Sequence, residues 1–356
     1  MLVFLVVILL LAALLESLSL RGGTAHVSTA LSLDRNHAEP DAPVTLEMSV
    51  TNGGRLPISY LALIVGFPLS AELPAGADVH RDPSLLTLHS VFRLWGRQTL
   101  RRSMIFSVSR RGVHAVNARA IERGDFLGIR TETERLSIRR ELVVYPRPYA
   151  HDALTEAMGS YFGELSARRW LLRDPVLAMG VREYTGNEPM HTISWNQTAR
   201  RGALTVREFD YTRSLNCCVL LSVSGLTPEE MELLDRCCGA ARTVVEALCD
   251  QGVEALLCTN AHLSGYGGAP VRSATASAGR QKDVLDVLAR ATFTACSAPT
   301  ELAENAMSLL SETAAFILIA PHADAETLDA LQTLNAKSAL GALLVAVDAL
   351  GEEAAN

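Results

Sequence analysis

The carboxylates Glu183 and Glu208 and the guanidinium groups of Arg182, Arg200 and Arg207 stand out among the charged groups of residues 180 to 210, GVREYTGNEPMHTISWNQTARRGALTVREFD. A pair of carboxylates can act as general acid and base, but only at a fixed separation beside a substrate pocket, and nothing in the sequence supplies either. The same stretch holds Tyr184 and Trp195. With the arginines they could form a polar, aromatic surface for a partner, because Trp and Arg most often anchor interfaces. A plainer use is also open: Glu183 or Glu208 pairs with Arg200 or Arg207, while Tyr184 and Trp195 fill a seam between two domains. Large aromatics are mostly buried, so the seam is expected for these two. Arg200, just before the Arg201-Gly202 turn, is expected to be exposed, and Arg207, in the alternating run LTVREFD, to be structural.

Thiol chemistry is the second candidate. Cys217, Cys218, Cys237, Cys238, Cys249, Cys258 and Cys296 make an odd number, all in apolar patterns, with His262 and His322 downstream of most of them. A catalytic thiol needs an activating neighbour, and no local motif marks one. Nor is there a C-x-x-C or Cys/His spacing suited to zinc, or a disulfide framework, so buried and reduced thiols are expected. No glycine-rich phosphate loop follows any apolar strand pattern, which leaves a nucleotide site without support.

These residues need a scaffold, and 356 residues with 49% apolar content are enough for two cores. The net charge of -7 gives no general attraction to nucleic acid. Arginines at positions 97, 101, 102, 110, 111, 139, 140, 168 and 169 read mostly as solvated faces. The chain opens on LVFLVVILLLAALL and continues to Arg21. Counted through Leu20 the run is long enough to cross a bilayer core of about 30 Å, and Arg21 and Arg35 place the following body in the cytoplasm. The expectation is a single-pass anchor at the cell membrane over residues 1–21.

Residues 25–146 read as β. In APVTLEMSVTNGG, Val44, Leu46, Met48 and Val50 alternate and stop at the Asn52-Gly53-Gly54 turn. Further short strands separated by Gly, Pro and Asp predict an immunoglobulin-like β-sandwich. Gly112 and Gly128 read as turn positions that need a positive φ. From Cys217 the period changes. CCVLLSV, VEALLCT, AFILIA and ALLVAVD are apolar strand runs, and helical patterns fall between them, so a parallel sheet covered on both faces is expected. The first helix should be capped by Thr227-Pro228-Glu229-Glu230, bury a stripe of Met231, Leu234, Cys238, Ala241, Val245 and Leu248, and stop at Gly252.

Gly180, Arg182, Glu183, Tyr184, Ile193, Trp195, Ala199, Arg200, Gly202, Leu204, Val206, Arg207, Glu208 and Phe209 together resemble, without gaps, the signature of a bacterial family catalogued as domain of unknown function fifty-eight. The chain departs from it at Asn187-Glu188, Thr192, Ser194 and Asn196. Arg111-Gly112-Val113 and Asp125-Phe126-Leu127-Gly128 resemble two further elements of the family. The resemblance implies a C-terminal von Willebrand factor A-like module, whose relatives hold a divalent cation through Asp-x-Ser-x-Ser at the tip of the first strand. Here Ser222 stands at the Asp position, followed by Ser224 and Leu226. Losing the anionic ligand disfavours the cation, so no cofactor is expected and Ser222 and Ser224 are degenerate positions that cap the loop. The resemblance also implies a hairpin of two membrane helices, so the expectation is that this chain lacks the first or that its true start lies upstream. As partners it implies a MoxR-type AAA ATPase and transglutaminase-like membrane proteins.

The resulting expectation is a membrane-anchored, non-catalytic interaction or assembly protein. Its parts are an anchor (1–21), a β-sandwich (25–146), the signature segment joining the domains (147–214) and an α/β von Willebrand factor A-like domain (215–350). A metal-dependent adhesion module and a cysteine or carboxylate hydrolase are the alternatives.

Overall fold

The computed structural model describes residues 26–124, 131–171, 178–184, 190, 193–209, 216–266, 269–310, 314–338 and 340–350. The chain divides into two compact units, residues 1–147 with 288–291, and residues 148–287 with 292–356.

The first unit is a β-sandwich. β1 (Val27–Leu33), β3 (Val44–Asn52), β8 (Thr99–Val108) and β5 (Ala71–Glu72) form one sheet, in the order β1-β3-β8-β5. The other has the order β2-β10-β9-β4-β7-β6, from β2 (His37–Ala38), β4 (Ile58–Phe67), β6 (Val79–Arg81), β7 (Leu86–Leu94), β9 (Gly112–Gly124) and β10 (Thr131–Val144). Strand alternation decides which side chains meet inside. Val44, Leu46, Met48 and Val50 of β3 are all buried and share one core with Leu61, Leu63, Phe92, Phe106, Val116 and Leu142. Phe67 and Phe106 pack edge to face at 5.2 Å. Gly112 has φ 134°, as its turn position requires, and Gly128 lies outside the described residues.

In the second unit, a five-stranded sheet has the order β16-β14-β13-β18-β19. Its strands are β13 (Asn216–Leu221), β14 (Glu254–Thr259), β16 (Arg272–Ala276), β18 (Ala315–Ala320) and β19 (Ala342–Ala346). β13 pairs in parallel with β14 and with β18, and β18 with β19, while β16 runs antiparallel to β14. A separate ribbon joins β15 (Ala261–Leu263) to β17 (Ala291–Ala295). The helices are α1 (Asp152–Leu171), α2 (Trp195–Arg201), α3 (Met231–Asp250), α4 (Lys282–Arg290), α5 (Pro299–Leu309) and α6 (Ala325–Lys337). Every residue of AFILIA in β18 is buried, which is why that run shows no alternation. Cys218 and Leu220 of β13 pack with Leu302, Ala306, Phe316 and Leu334. The Tyr161 hydroxyl of α1 lies 3.0 Å from the Gly341 carbonyl and 3.1 Å from that of Phe316.

The expected fold class does not stand. Strands dominate the chain, and the sheet of the second unit is not the uniformly parallel, von Willebrand factor A-like sheet expected. The link from Thr259 to Arg272 is rich in Gly and contains Pro270, and among its described residues there is no crossover helix, so β16 returns antiparallel. The membrane anchor and the single-pass cell-membrane location are also corrected: among the described residues no helix is long and apolar enough to cross a membrane. Residues 1–21 themselves lie outside the described residues. The helix after β13 starts at Met231, later than the Thr227 cap suggested, because Thr227 to Glu230 close a turn of their own, with the Glu230 N–H donating to the Thr227 carbonyl at 3.1 Å. It ends as expected, at Gly252 with φ 74°, where the Val253 N–H reaches back to the Leu248 carbonyl at 2.9 Å. Leu234, Cys238, Ala241, Val245 and Leu248 are buried, and Met231 only partly.

Candidate functional site

The order of the sheet singles out the carboxyl end of β13. The chain leaves β13 toward β14 on one side, and β18 lies on the other, so the crevice beyond these ends is a topological switch point, the usual place for a ligand in an open α/β sheet. Ser222 and Ser224 sit here. The Ser222 N–H donates to the Ile319 carbonyl at 2.9 Å and ties the loop to β18. Thr259, at the end of β14, donates its hydroxyl to the Leu221 carbonyl at 2.8 Å.

Asn260, fully buried, organises the loop. Its Oδ1 accepts from the Val223 N–H at 3.0 Å, and its Nδ2 donates to Ser224 Oγ at 3.0 Å and to the Ser297 carbonyl at 2.8 Å. The Ser222 hydroxyl accepts from the Ser224 N–H at 3.4 Å. Both serine hydroxyls therefore hold the loop, and a buried amide that satisfies three neighbours makes it rigid. Sequence reasoning missed Asn260; the signal was a polar residue directly after the apolar run VEALLCT.

A charged group borders the crevice. Gly225, at φ 81°, lies beside His322 and Asp324: a Cβ there would sit 3.7 Å from Asp324 Oδ2 and 3.9 Å from the His322 ring. His322 Nδ1 is 2.7 Å from Asp348 Oδ2 and its Nε2 is 3.8 Å from Glu230 Oε1. Asp324 caps α6 by accepting from the Thr327 N–H at 2.9 Å. Among the described residues, no group of three or more His, Cys, Asp or Glu side chains is placed to hold a metal ion.

Glu230 accepts from the Thr227 N–H and hydroxyl, each at 2.9 Å, and these bonds, aided by the nearby His322, hold its carboxyl below the usual carboxylate range. A depressed folded-state pKa contributes stability above the unfolded value that is lost as pH falls through the folded one. Glu230→Gln should therefore flatten the acid limb of the melting-temperature profile below about pH 4.3 and leave the neutral and alkaline limbs parallel to wild type. Unchanged acid-limb curvature would refute this.

The thiols lie mostly in the core. Six of the seven cysteines are buried and Cys296 is exposed. Burial pushes the Cys217 thiol up to about 12. Cys218 donates to Cys258 across 3.9 Å, which raises Cys218 and lowers Cys258, inside the core. A thiolate nucleophile needs an accessible, electropositive setting, which these buried positions lack.

The signature residues fold as one small motif. β11 (Ala178–Glu183) pairs antiparallel with β12 (Thr205–Phe209), with Arg182 opposite Val206, Glu183 opposite Thr205, Arg207 opposite Val181 and Glu208 opposite Gly180. The side chains of Arg182, Glu183, Arg207 and Glu208 lie outside the described residues, and with them any ion pair or acid/base geometry. Between the strands comes α2, whose C-terminus closes on Gly202 at φ 70°. Buried Thr205 is the hub: its carbonyl accepts from the Ser194 N–H at 2.9 Å, and its own N–H donates to Thr198 Oγ1 at 3.1 Å. The Tyr184 N–H donates to the Leu204 carbonyl at 2.8 Å, and its side chain is half-buried. Trp195, expected in a seam, is 62% exposed, and Arg200 is also exposed. The motif buries Ile193, Ser194 and Thr205 instead, so the first residue of α2 is left facing solvent.

No family model matches the chain, and no curated protein matches it. Similar solved structures include the cohesin module of a family 33 glycoside hydrolase from Clostridium perfringens, at 7% identity over 33% of this chain and 96% of that one, with a TM-score of 0.27. A non-cellulosomal cohesin from Archaeoglobus fulgidus is 15% identical over 33% of this chain and 91% of that one, with a TM-score of 0.24. The sporulation control protein Spo0M from Bacillus subtilis is 14% identical over 38% and 55%, with a TM-score of 0.23. TM-scores this low carry no argument about function.

Proposed function

We propose that this chain is a non-catalytic interaction or assembly protein whose signature motif docks a protein partner. The observation that supports it is the exposure of Trp195, with Met190 at 72% and Leu204 at 45% exposed on the backbone around it. The Met190 carbonyl accepts from the Ile193 N–H at 3.2 Å, and Leu204 is the neighbour of hub residue Thr205, so the three apolar side chains rise from one small hydrogen-bonded frame. Arg200 stands on the same short helix. Exposed Trp and Arg are the residue types that anchor interfaces, and clustered exposed apolar residues mark interaction sites more than single ones do.

The resemblance of the signature to the domain-of-unknown-function family nominates a MoxR-type AAA ATPase as the partner, with transglutaminase-like proteins as further associates. The test is titration of a purified MoxR-type ATPase against the chain and two variants. Trp195→Ala should weaken binding by about tenfold or more, and Arg200→Ala by less. Both should keep their denaturation midpoints within about 0.5 kcal/mol of wild type, as exposed positions do. Binding that ignores both substitutions would sink this surface, and absence of binding by wild type would sink the ATPase.

A further inference from the structure

The first unit carries a second preorganised surface, at one tip of the sandwich, which the signature motif does not involve. Two loops meet there, residues 52–57 after β3 and residues 94–98 between β7 and β8. Buried Asn52 clasps them: its Nδ2 donates to the Leu56 carbonyl at 2.8 Å and to the Trp95 carbonyl at 3.0 Å, and its Oδ1 accepts from the Gly54 N–H at 3.0 Å. The Asn52 N–H donates to the Gln98 carbonyl and the Arg97 N–H to the Gly54 carbonyl, each at 2.9 Å. Gln98 Oε1 accepts from the Trp95 N–H at 2.7 Å. Gly96 packs against the backbone of Arg55, and Arg97 is held in the left-handed region at φ 57°.

This frame presents apolar surface to water. Trp95 is 73% exposed and Leu56 is 48% exposed, on loops whose backbones touch. Arg55, Arg93 and Arg97 around them are exposed as well. The sequence contains no Asp or Glu from residue 48 to 71 or from 83 to 121, although the whole chain has a net charge of -7. The tip thus sets three arginines and no carboxylate around Trp95, with Glu122 and Glu132 further across the same sheet on β9 and β10, and this local charge favours an anionic partner. Its rigidity selects among anionic partners: a fixed Trp and Leu lower the ordering cost of binding a defined shape, an advantage a fluid lipid surface does not need.

We propose that this tip binds an acidic peptide segment of a partner protein, with carboxylates against Arg55 and Arg93 and an apolar side chain against Trp95 and Leu56. The proposal is independent of the role given to the signature motif.

The experiment selects short random displayed peptides on the immobilised full chain and titrates the enriched peptides against wild type, Trp95→Ala and Arg55→Glu/Arg93→Glu. Vesicles of phosphatidylglycerol serve as the parallel probe. The expected enrichment combines Asp or Glu with an apolar residue. Affinity should fall by about tenfold or more in each variant, and in wild type it should weaken with added salt. Melting temperatures of the variants should match wild type, because the changed side chains are exposed; Arg97 is left intact, since its backbone conformation strains many substitutes. Peptides without acidic enrichment, acidic peptides that bind Trp95→Ala equally well, or Trp95-dependent vesicle binding with no peptide selected would each overturn the proposal.

Discussion

Asn260→Ala is expected to lower the stability of the second unit by about 2 to 4 kcal/mol, read as a shifted denaturant midpoint. The side chain has no exposed surface and satisfies three separate partners, the Val223 N–H, Ser224 Oγ and the Ser297 carbonyl. Truncation leaves the Val223 N–H without its acceptor at a fully buried residue, and the cost of an unmet buried donor exceeds the net value of the bond it replaces. Asn260→Asp separates the parts of this argument. It keeps an acceptor for Val223, removes both donated bonds and buries a charge, so it should be at least as damaging at neutral pH and partly recover as the carboxyl is protonated. Ser224→Ala removes one end of one of these bonds at a half-buried position and should cost about 1 kcal/mol or less. Equal, small effects from all three would show that the loop after β13 does not depend on Asn260.

The contrast between Asn260 and Ser222 shows where the sequence was readable. Runs such as AFILIA and CCVLLSV announce buried strands through unbroken apolarity, and β18 and β13 lie within them. The stop at Gly252 was legible because one residue type serves that left-handed position. The direction of β16 was not legible, since antiparallel return depends on what the Gly-rich link fails to form rather than on the strand RSATA itself. The start of α3 misled because Thr227 and Glu230 satisfy each other in a turn before the helix, using the residues of a capping box for a different purpose. At the site, Ser222 and Ser224 were legible as lapsed metal ligands that cap the loop, whereas the amide that positions them, Asn260, follows β14, a long-range partnership that local spacing does not encode. Trp195 failed the general expectation for aromatics for a similar reason: the hydroxyls of Thr198 and Thr205 and the buried Ile193 hold its helix in place, so the tryptophan is not needed inside.

Gly96→Ala is expected to destabilise the first unit by about 2 to 4 kcal/mol, for want of space rather than for a special backbone angle. A Cβ at this position would lie 2.1 Å from the Arg55 carbonyl oxygen and 2.6 Å from its carbonyl carbon. Both are backbone atoms, so relief requires the 52–57 loop to move away from the 94–98 loop, and that movement stretches the bonds from Asn52 to the Leu56 and Trp95 carbonyls. Interiors transmit such strain because they are close-packed and bistable rather than soft. Gly159→Ala is the matched control. It lies on the exposed side of α1 with nothing within 4 Å of a built Cβ, so the same added methyl group should raise helix stability by about 0.5 to 1 kcal/mol. Opposite signs for one chemical change at two glycines, measured as denaturant midpoints, would establish that the clasp between the two loops is sterically closed. A neutral Gly96→Ala would mean that the loops separate at little cost, and the rigidity assigned to the Trp95 tip would fall with it.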